Sequence, residues 1–196
     1  MFNFESIRLP ALAGLLLAVF SVQAVATAGN EISLDGTWEI VFDHENIGRE
    51  AEWQDGTNFS DLRQKREVTV PSAWELIEKD YEGVAFYRRE FDVPTEWKDK
   101  VVQLQFGAVN YIAEVWVNDE VVGYHEGGFT PFELRVDRML KPGKTNVVTL
   151  RVQGPIIRSD KEVDGIGPLE TPQWRGGISG GIWQSVQHRF SHSFKH

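Results

Sequence analysis

The stretch Ile112–Val136, "IAEVWVNDEVVGYHEGGFTPFELRV", decides the fold. Ala113, Val115 and Val117 alternate with Glu114, Trp116 and Asn118, a period-2 pattern of strand length. Asn118-Asp119 then divides "VWV" from "VVGYH", which predicts a tight hairpin. Further on, Phe132, Leu134 and Val136 point inward while Glu133 and Arg135 point out. Between these runs lies "HEGGFTPF". Gly127 and Gly128 permit backbone angles closed to other residues and let the chain approach a neighbour closely. Pro131 fixes φ where the strand restarts. Phe129 and Phe132 are placed to anchor the turn in the core, and His125 reads as a hydrogen-bonded structural histidine rather than a ligand.

The same alternation runs outward in both directions. "TWEIVFD" puts Trp38, Ile40 and Phe42 on one face; "VVQLQF" does so with Val102, Leu104 and Phe106; "NVVTLRV" buries Val148, Leu150 and Val152. "KPGK" at Lys141–Lys144 joins two strands. Helical periodicity is confined to "FSDLRQKR" (Phe59–Arg66), read as a short helix, and "VDRML" (Val136–Leu140), read as a single turn. Many short antiparallel strands with polar turns predict an all-β sandwich. One segment breaks the pattern: Gly154–Gly181 is rich in glycine and proline and lacks alternation, and a long irregular loop of this kind is more often functional than idle.

At 196 residues the chain holds one domain, or one domain with a small appendage. Twenty Lys and Arg stand against 29 Asp and Glu, a net charge of −9, which argues against nucleic acid and against an anionic membrane surface. Seven Trp and twelve Phe exceed what packing alone requires, so surface aromatics for sugars or proteins are expected. There is no cysteine, hence no disulfide and no thiolate site.

The N-terminus reads as a secretory signal peptide over residues 1–28: Arg8, an apolar run from Ala11 to Phe20, then small-residue sites ending at Ala26-Thr27-Ala28. Its apolar run is shorter than a membrane span requires. The expected mature domain is 29–196, secreted or periplasmic, with no membrane contact after cleavage.

"LDGTWEI", "VPSAWE", "FYRREFDVP", the Val109–Val136 block and "GGIWQSV" occur in this order. Together they resemble the N-terminal sugar-binding domain of glycoside hydrolase family 2, which holds β-galactosidases, β-glucuronidases and β-mannosidases, over about Leu34 to Val186. The resemblance implies a jelly-roll, galactose-binding-domain-like antiparallel β-sandwich. It implies a carbohydrate partner, a β-glycoside, and Ig-like and (β/α)₈ barrel domains elsewhere in the parent enzyme. Retaining glycosidases need two carboxyl groups about 5–5.5 Å apart, and in the family both project from the barrel, which needs roughly 250 residues. No catalytic residue is therefore assigned here. The expected role is support of O-glycoside hydrolysis by a domain that lacks the catalytic carboxylates; the alternative is a stand-alone secreted carbohydrate-binding module.

In the family, the loop before "FYRREF" and the loop before "GGIWQSV" reach toward the active site. Here these are "KDYEGVAF" and "LETPQWRGGIS", which nominates Tyr81, Glu82, Glu170, Trp174 and Arg175 as carbohydrate contacts. The aspartate that holds sugar hydroxyls in the family falls on Arg175, and Glu170 is the nearest acid, with Asp164 further off. An indole face stacks on sugar C–H bonds and a guanidinium bridges two hydroxyls. No cofactor or metal is implied. His188, His192 and His196 would share a face on a helix, but "QHRFSHSFKH" is short and terminal, and it departs from the alternating strand that the family has there. With the barrel-facing surface uncovered, Phe129, Trp174 and Ile178 would face water together, which implies self-association.

Overall fold

The computed structural model describes residues 30–168 and 180–191. In chain order the elements are β1 (Glu31–Ser33), β2 (Gly36–Asp43), α1 (Gly56–Asp61), β3 (Arg66–Val70), β4 (Val84–Asp92), β5 (Val101–Phe106), β6 (Val109–Asn110), β7 (Ile112–Val117), β8 (Glu120–Glu126), β9 (Phe132–Arg135), β10 (Thr145–Gln153), β11 (Gly181–Ile182) and β12 (Val186–Ser191). Two short 3₁₀ turns lie at Trp74–Leu76 and Thr95–Trp97.

The strands form two main antiparallel sheets, ordered β3-β2-β4-β10-β7-β8 and β1-β12-β5-β9, with a small β11-β6 pair. The alternating residues meet between them: Trp38, Ile40, Tyr87, Val115 and Leu150 from the larger sheet share one core with Leu104, Phe106 and Val186 from the smaller. This is the sandwich that the alternation predicted, of the jelly-roll kind that the family resemblance implies.

The hairpin forms as read. Val117 pairs with Glu120, and Asn118 and Asp119 take φ of 51° and 69°, the left-handed pair that a two-residue turn demands. Asn118 is also held from outside: its amide donates to Met139 O at 2.7 Å and Asn146 Oδ1 at 2.8 Å. The Val136–Leu140 turn is present, closed by Leu140 N–H to Val136 O.

Three expectations are corrected. The helix starts earlier than Phe59, because Asp55 caps it by accepting from the N–H groups of Thr57 (2.8 Å) and Asn58 (3.3 Å). Five of the tryptophans are core rather than surface: Trp38, Trp53, Trp74, Trp97 and Trp116 are all buried, and Trp183 is half-buried. Finally, the strand does not stop at Val186. β12 runs to Ser191, paired with β5 on one side and β1 on the other, and places His188 inside the core. His188 thus lies on a strand and not on a helical face; His192 and His196 are outside the described residues.

A second apolar cluster covers half of the outer face of the larger sheet. Val41, Val84 and Phe86 point outward and are roofed by Trp53, Phe59, Ile156 and Val163. The roof comes from residues 45–62 and from a strap at 154–166, which turns sharply at Asp164-Gly165 (φ 52° and 80°) with Val163 bridging Ile166.

Candidate functional site

At one end of the larger sheet four segments are zipped side by side. Gly154 N–H donates to Gly83 O, Tyr111 N–H to Gln153 O and Gly127 N–H to Tyr111 O, each at 2.9 Å. The "HEGGFTPF" turn sits here. Gly127 has φ of +132°, and a Cβ on Gly128 would lie 2.2 Å from Asn110 Oδ1, so the turn can approach β6 only without a side chain. Trp183 Nε1 donates to Gly128 O at 2.7 Å and fastens the turn to the residue after β11.

The two phenylalanines of the turn separate. Phe132 stacks on Phe106 (4.7 Å) and on the His125 ring (4.2 Å). Phe129 does not enter the core: it is 78% exposed and meets only the edge of Trp183 at 5.5 Å. His125 is structural, with Nε2 3.2 Å from Thr130 Oγ1.

β11 is clasped from the other side by the β3–β4 connection. Ser72 N–H donates to Ile182 O and Trp74 N–H to Gly180 O, at 3.0 and 3.1 Å. Trp74 is fully buried, edge-on to Phe42 and Tyr81. A Cβ would meet its ring at 2.0 Å from Gly180 and 2.4 Å from Gly154. Both chain crossings therefore require glycine. Glu75 completes the clasp, accepting the Gly180 N–H at Oε1 (2.8 Å) while its buried Oε2 has no partner. Burial pushes the Glu75 carboxyl above its ordinary pKa, against the opposing pull of the Gly180 N–H. It is a half-buried acid with one unused oxygen, where the chain returns at Gly180. It lay inside the quoted "VPSAWE", yet nothing in the sequence shows that Gly180, 105 residues on, would orient it.

Tyr81 and Glu82 are brought to this end, but their polar atoms are engaged within the protein. The Tyr81 hydroxyl donates to Val84 O (2.7 Å) and accepts from Val84 N–H (3.1 Å), and its ring packs edge-on against Phe42, His44 and Trp74. Burial raises its pKa. The Glu82 carboxylate accepts from Ile157 N–H (2.8 Å), Arg158 N–H (2.6 Å) and Ser159 Oγ–H (2.6 Å). Desolvation alone would raise its pKa; the bonds from Ser159, Ile157 and Arg158 outweigh that and leave it lowered. Glu82 stitches the β3–β4 connection to the strap, and Arg158 adds an ion pair with Asp80. Glu170, Trp174 and Arg175, with Ile178, lie outside the described residues.

The strap's other end is pinned by charge. Arg151 is 1% exposed; it donates to Glu114 Oε1 (3.0 Å), Asn46 Oδ1 (2.7 Å) and Asp164 Oδ2 (2.7 Å). Arg49 pairs with the same two carboxylates. Burial would raise the Asp164 pKa, but the Asn46 bond and the two guanidiniums hold it below the ordinary value.

Residues 76–186 match the family model described as "Glycosyl hydrolases family 2, sugar binding domain". The chain belongs to this family. Among curated relatives, a β-glucuronidase of Paenibacillus borealis is 34% identical over 124 residues, 61% of this chain and 20% of that protein. A β-galactosidase of Thermoanaerobacter pseudethanolicus is 36% identical over 110 residues, 56% of this chain and 14% of that one. The solved β-glucuronidase of Ruminococcus gnavus in complex with uronic deoxynojirimycin superposes with a TM-score of 0.69 at 29% identity, over 82% of this chain and 29% of that chain. The family 2 domain described here thus spans a fifth or less of the length of these two curated relatives.

Proposed function

We propose that this family 2 domain supports the hydrolysis of β-glycosides by a catalytic barrel that lies in the part of the relatives the chain does not cover. The observation that carries this reading is the clasp at one end of the sandwich. Trp74 and Glu75 hold Gly180, where the described chain resumes after the segment that bears Glu170, Trp174 and Arg175. Those three residues are the proposed sugar contacts. Tyr81 and Glu82 act on the scaffold beneath.

The domain is proposed to be exported and cleaved after Ala28, so that it works in a secreted or periplasmic setting. One experiment tests both parts of the reading. The chain is expressed in an exporting bacterial host, and the exported protein is sequenced from its N-terminus and then assayed on aryl β-glucuronide, β-galactoside and β-mannoside. The expected result is a start at Gly29 and no turnover above the blank. An intact Met1 on exported protein refutes the cleavage. Turnover that survives repurification refutes the dependence on a separate barrel.

A further inference from the structure

The outer face of the larger sheet is roofed over only half its width. The roof ends at the Arg49–Glu114–Arg151–Asp164 network; beyond it Trp116 is still buried, but the outward side chains of β8 are bare. The register sets which side chains stand there. Glu114 lies opposite Tyr124 and Trp116 opposite Val121. Tyr124 is 71% exposed and Val121 68%.

We propose that this face is a carbohydrate-binding surface for an uncharged polysaccharide, with Tyr124 as its stacking platform and Glu114 as its hydroxyl acceptor. It is separate from the clasped end and does not depend on the contacts proposed there. Three observations support it. First, Tyr124 is a ring of pyranose size on a rigid strand, and its phenol is available at the rim. Second, Glu114 is fixed before any ligand arrives: Oε1 accepts from both Arg49 and Arg151, and Oε2 takes no hydrogen bond among the described residues. A preset acceptor beside an aromatic face gives a sugar orientation as well as contact.

Third, the charge selects the ligand. Glu114, Asp119, Glu120 and Glu126 crowd the hairpin. The cations nearby are already paired, Arg49 and Arg151 with Glu114 and Asp164, and Arg88 with Asp119 at 3.6 Å. Uronates and phosphates are repelled, and neutral hydroxyl-rich chains are not. A protein partner fits less well. A stable interface buries about 800 Å² on each side around an apolar centre, whereas the exposed apolar groups here are Val121 and Tyr124.

Native gel electrophoresis of the purified chain in gels containing mixed-linkage β-glucan, galactomannan, xylan or polygalacturonate tests the proposal. The expected result is retardation by at least one of the three neutral polymers and none by polygalacturonate. Tyr124→Ala should weaken that binding about tenfold, and Tyr124→Trp should retain it. Because Tyr124 is exposed, both variants should melt with the parent. Retardation by none of the neutral polymers overturns the proposal, as does retardation that Tyr124→Ala leaves unchanged, which would move binding to another surface. Self-association in sedimentation that Tyr124→Ala abolishes would assign the face to a second copy of the chain and likewise overturn it. None of these outcomes bears on the clasped end, whose contacts are tested through turnover and not through Tyr124.

Discussion

Acid should unfold this domain through His188. The imidazole is fully buried on β12, flanked by Trp97 at 4.9 Å and Phe91 at 5.3 Å, and neither ring nitrogen has a hydrogen-bond partner among the described residues. His188 also lines a cleft of about 820 Å³ that Arg89, Glu90, Asp92 and Lys144 border, but no carboxylate of the described residues bonds the ring. Desolvation pushes its pKa from 6.5 down to about 4. The native state therefore favours the neutral ring, while the unfolded chain takes up a proton near pH 6.5. Between these values the unfolded state binds more protons, so stability falls as pH falls. The contribution is fully present above about pH 6.5 and lost by about pH 4. A fall from 6.5 to about 4 corresponds to about 3 kcal/mol, at about 1.4 kcal/mol per tenfold. That is a large fraction of the roughly 5–15 kcal/mol that holds a typical domain folded. The assay is urea unfolding of the parent and of His188→Leu at a series of pH values from 7 to 4. Leucine removes two unpartnered polar atoms at similar volume, so the variant should be as stable as the parent at pH 7 or more so. Carboxylates contribute equally to both proteins, and the difference isolates the histidine. The gap should widen by about 3 kcal/mol on acidification. Parallel pH profiles would refute the reasoning, because they would mean that the ring is solvated or bonded in solution.

Two further substitutions test the clasp. Gly180→Ala puts a methyl 2.0 Å from the fully buried Trp74 ring and should cost several kcal/mol in thermal melts. Gly165→Ala meets nothing within 4 Å and should cost only about 1 kcal/mol, from its φ of +80°; equal losses at the two sites would contradict the packing described. Glu82→Ala leaves the Ile157 and Arg158 N–H groups and the Ser159 hydroxyl without their acceptor. It should lower stability by about 2–3 kcal/mol at neutral pH. Because the Glu82 pKa is lowered by folding, the loss should shrink as pH falls below the ordinary carboxylate range. Hydrogen exchange confined to residues 154–166 would show that the strap, and not the sandwich, is what loosens.

The sandwich was legible because its information is local. Alternation in β2, β5, β7 and β10 names the inward face residue by residue, and Asn118-Asp119 can close only a tight turn. What escaped was long-range. Trp74 is core because Gly154 and Gly180, far apart in sequence, leave room for its ring. A count of tryptophans carries no trace of that, so their number suggested a surface role. Tyr81 and Glu82 were nominated as sugar contacts by their place in the sequence. Only the fold shows that Val84 and residues 157–159 occupy their polar atoms. His188 was read as a polar terminal residue. Its register opposite Leu104, inside the sheet, depends on β5 and β1 accepting β12 between them.

The network that borders the exposed face of β8 is costly by any measure of stability alone. Arg151 is almost wholly out of water, its Nε has no partner, and well-packed apolar residues at Arg151, Glu114 and Asp164 would often serve a sheet as well or better. The apolar roof of Val163, Ile156, Trp53 and Phe59 shows that the same face accepts such residues a few ångströms away. What charge provides here, and apolar contact would not, is direction. Arg151 sets the distance between β7 and the tip of the strap through two carboxylates at once, while Glu82 sets the strap's other end through two backbone N–H groups. A strap fixed at both ends cannot slide along the sheet. The same guanidinium that fixes the strap also presets Glu114 beside Tyr124. One buried arginine therefore fixes both the strap and Glu114, which accounts for a charge that stability alone would have discarded.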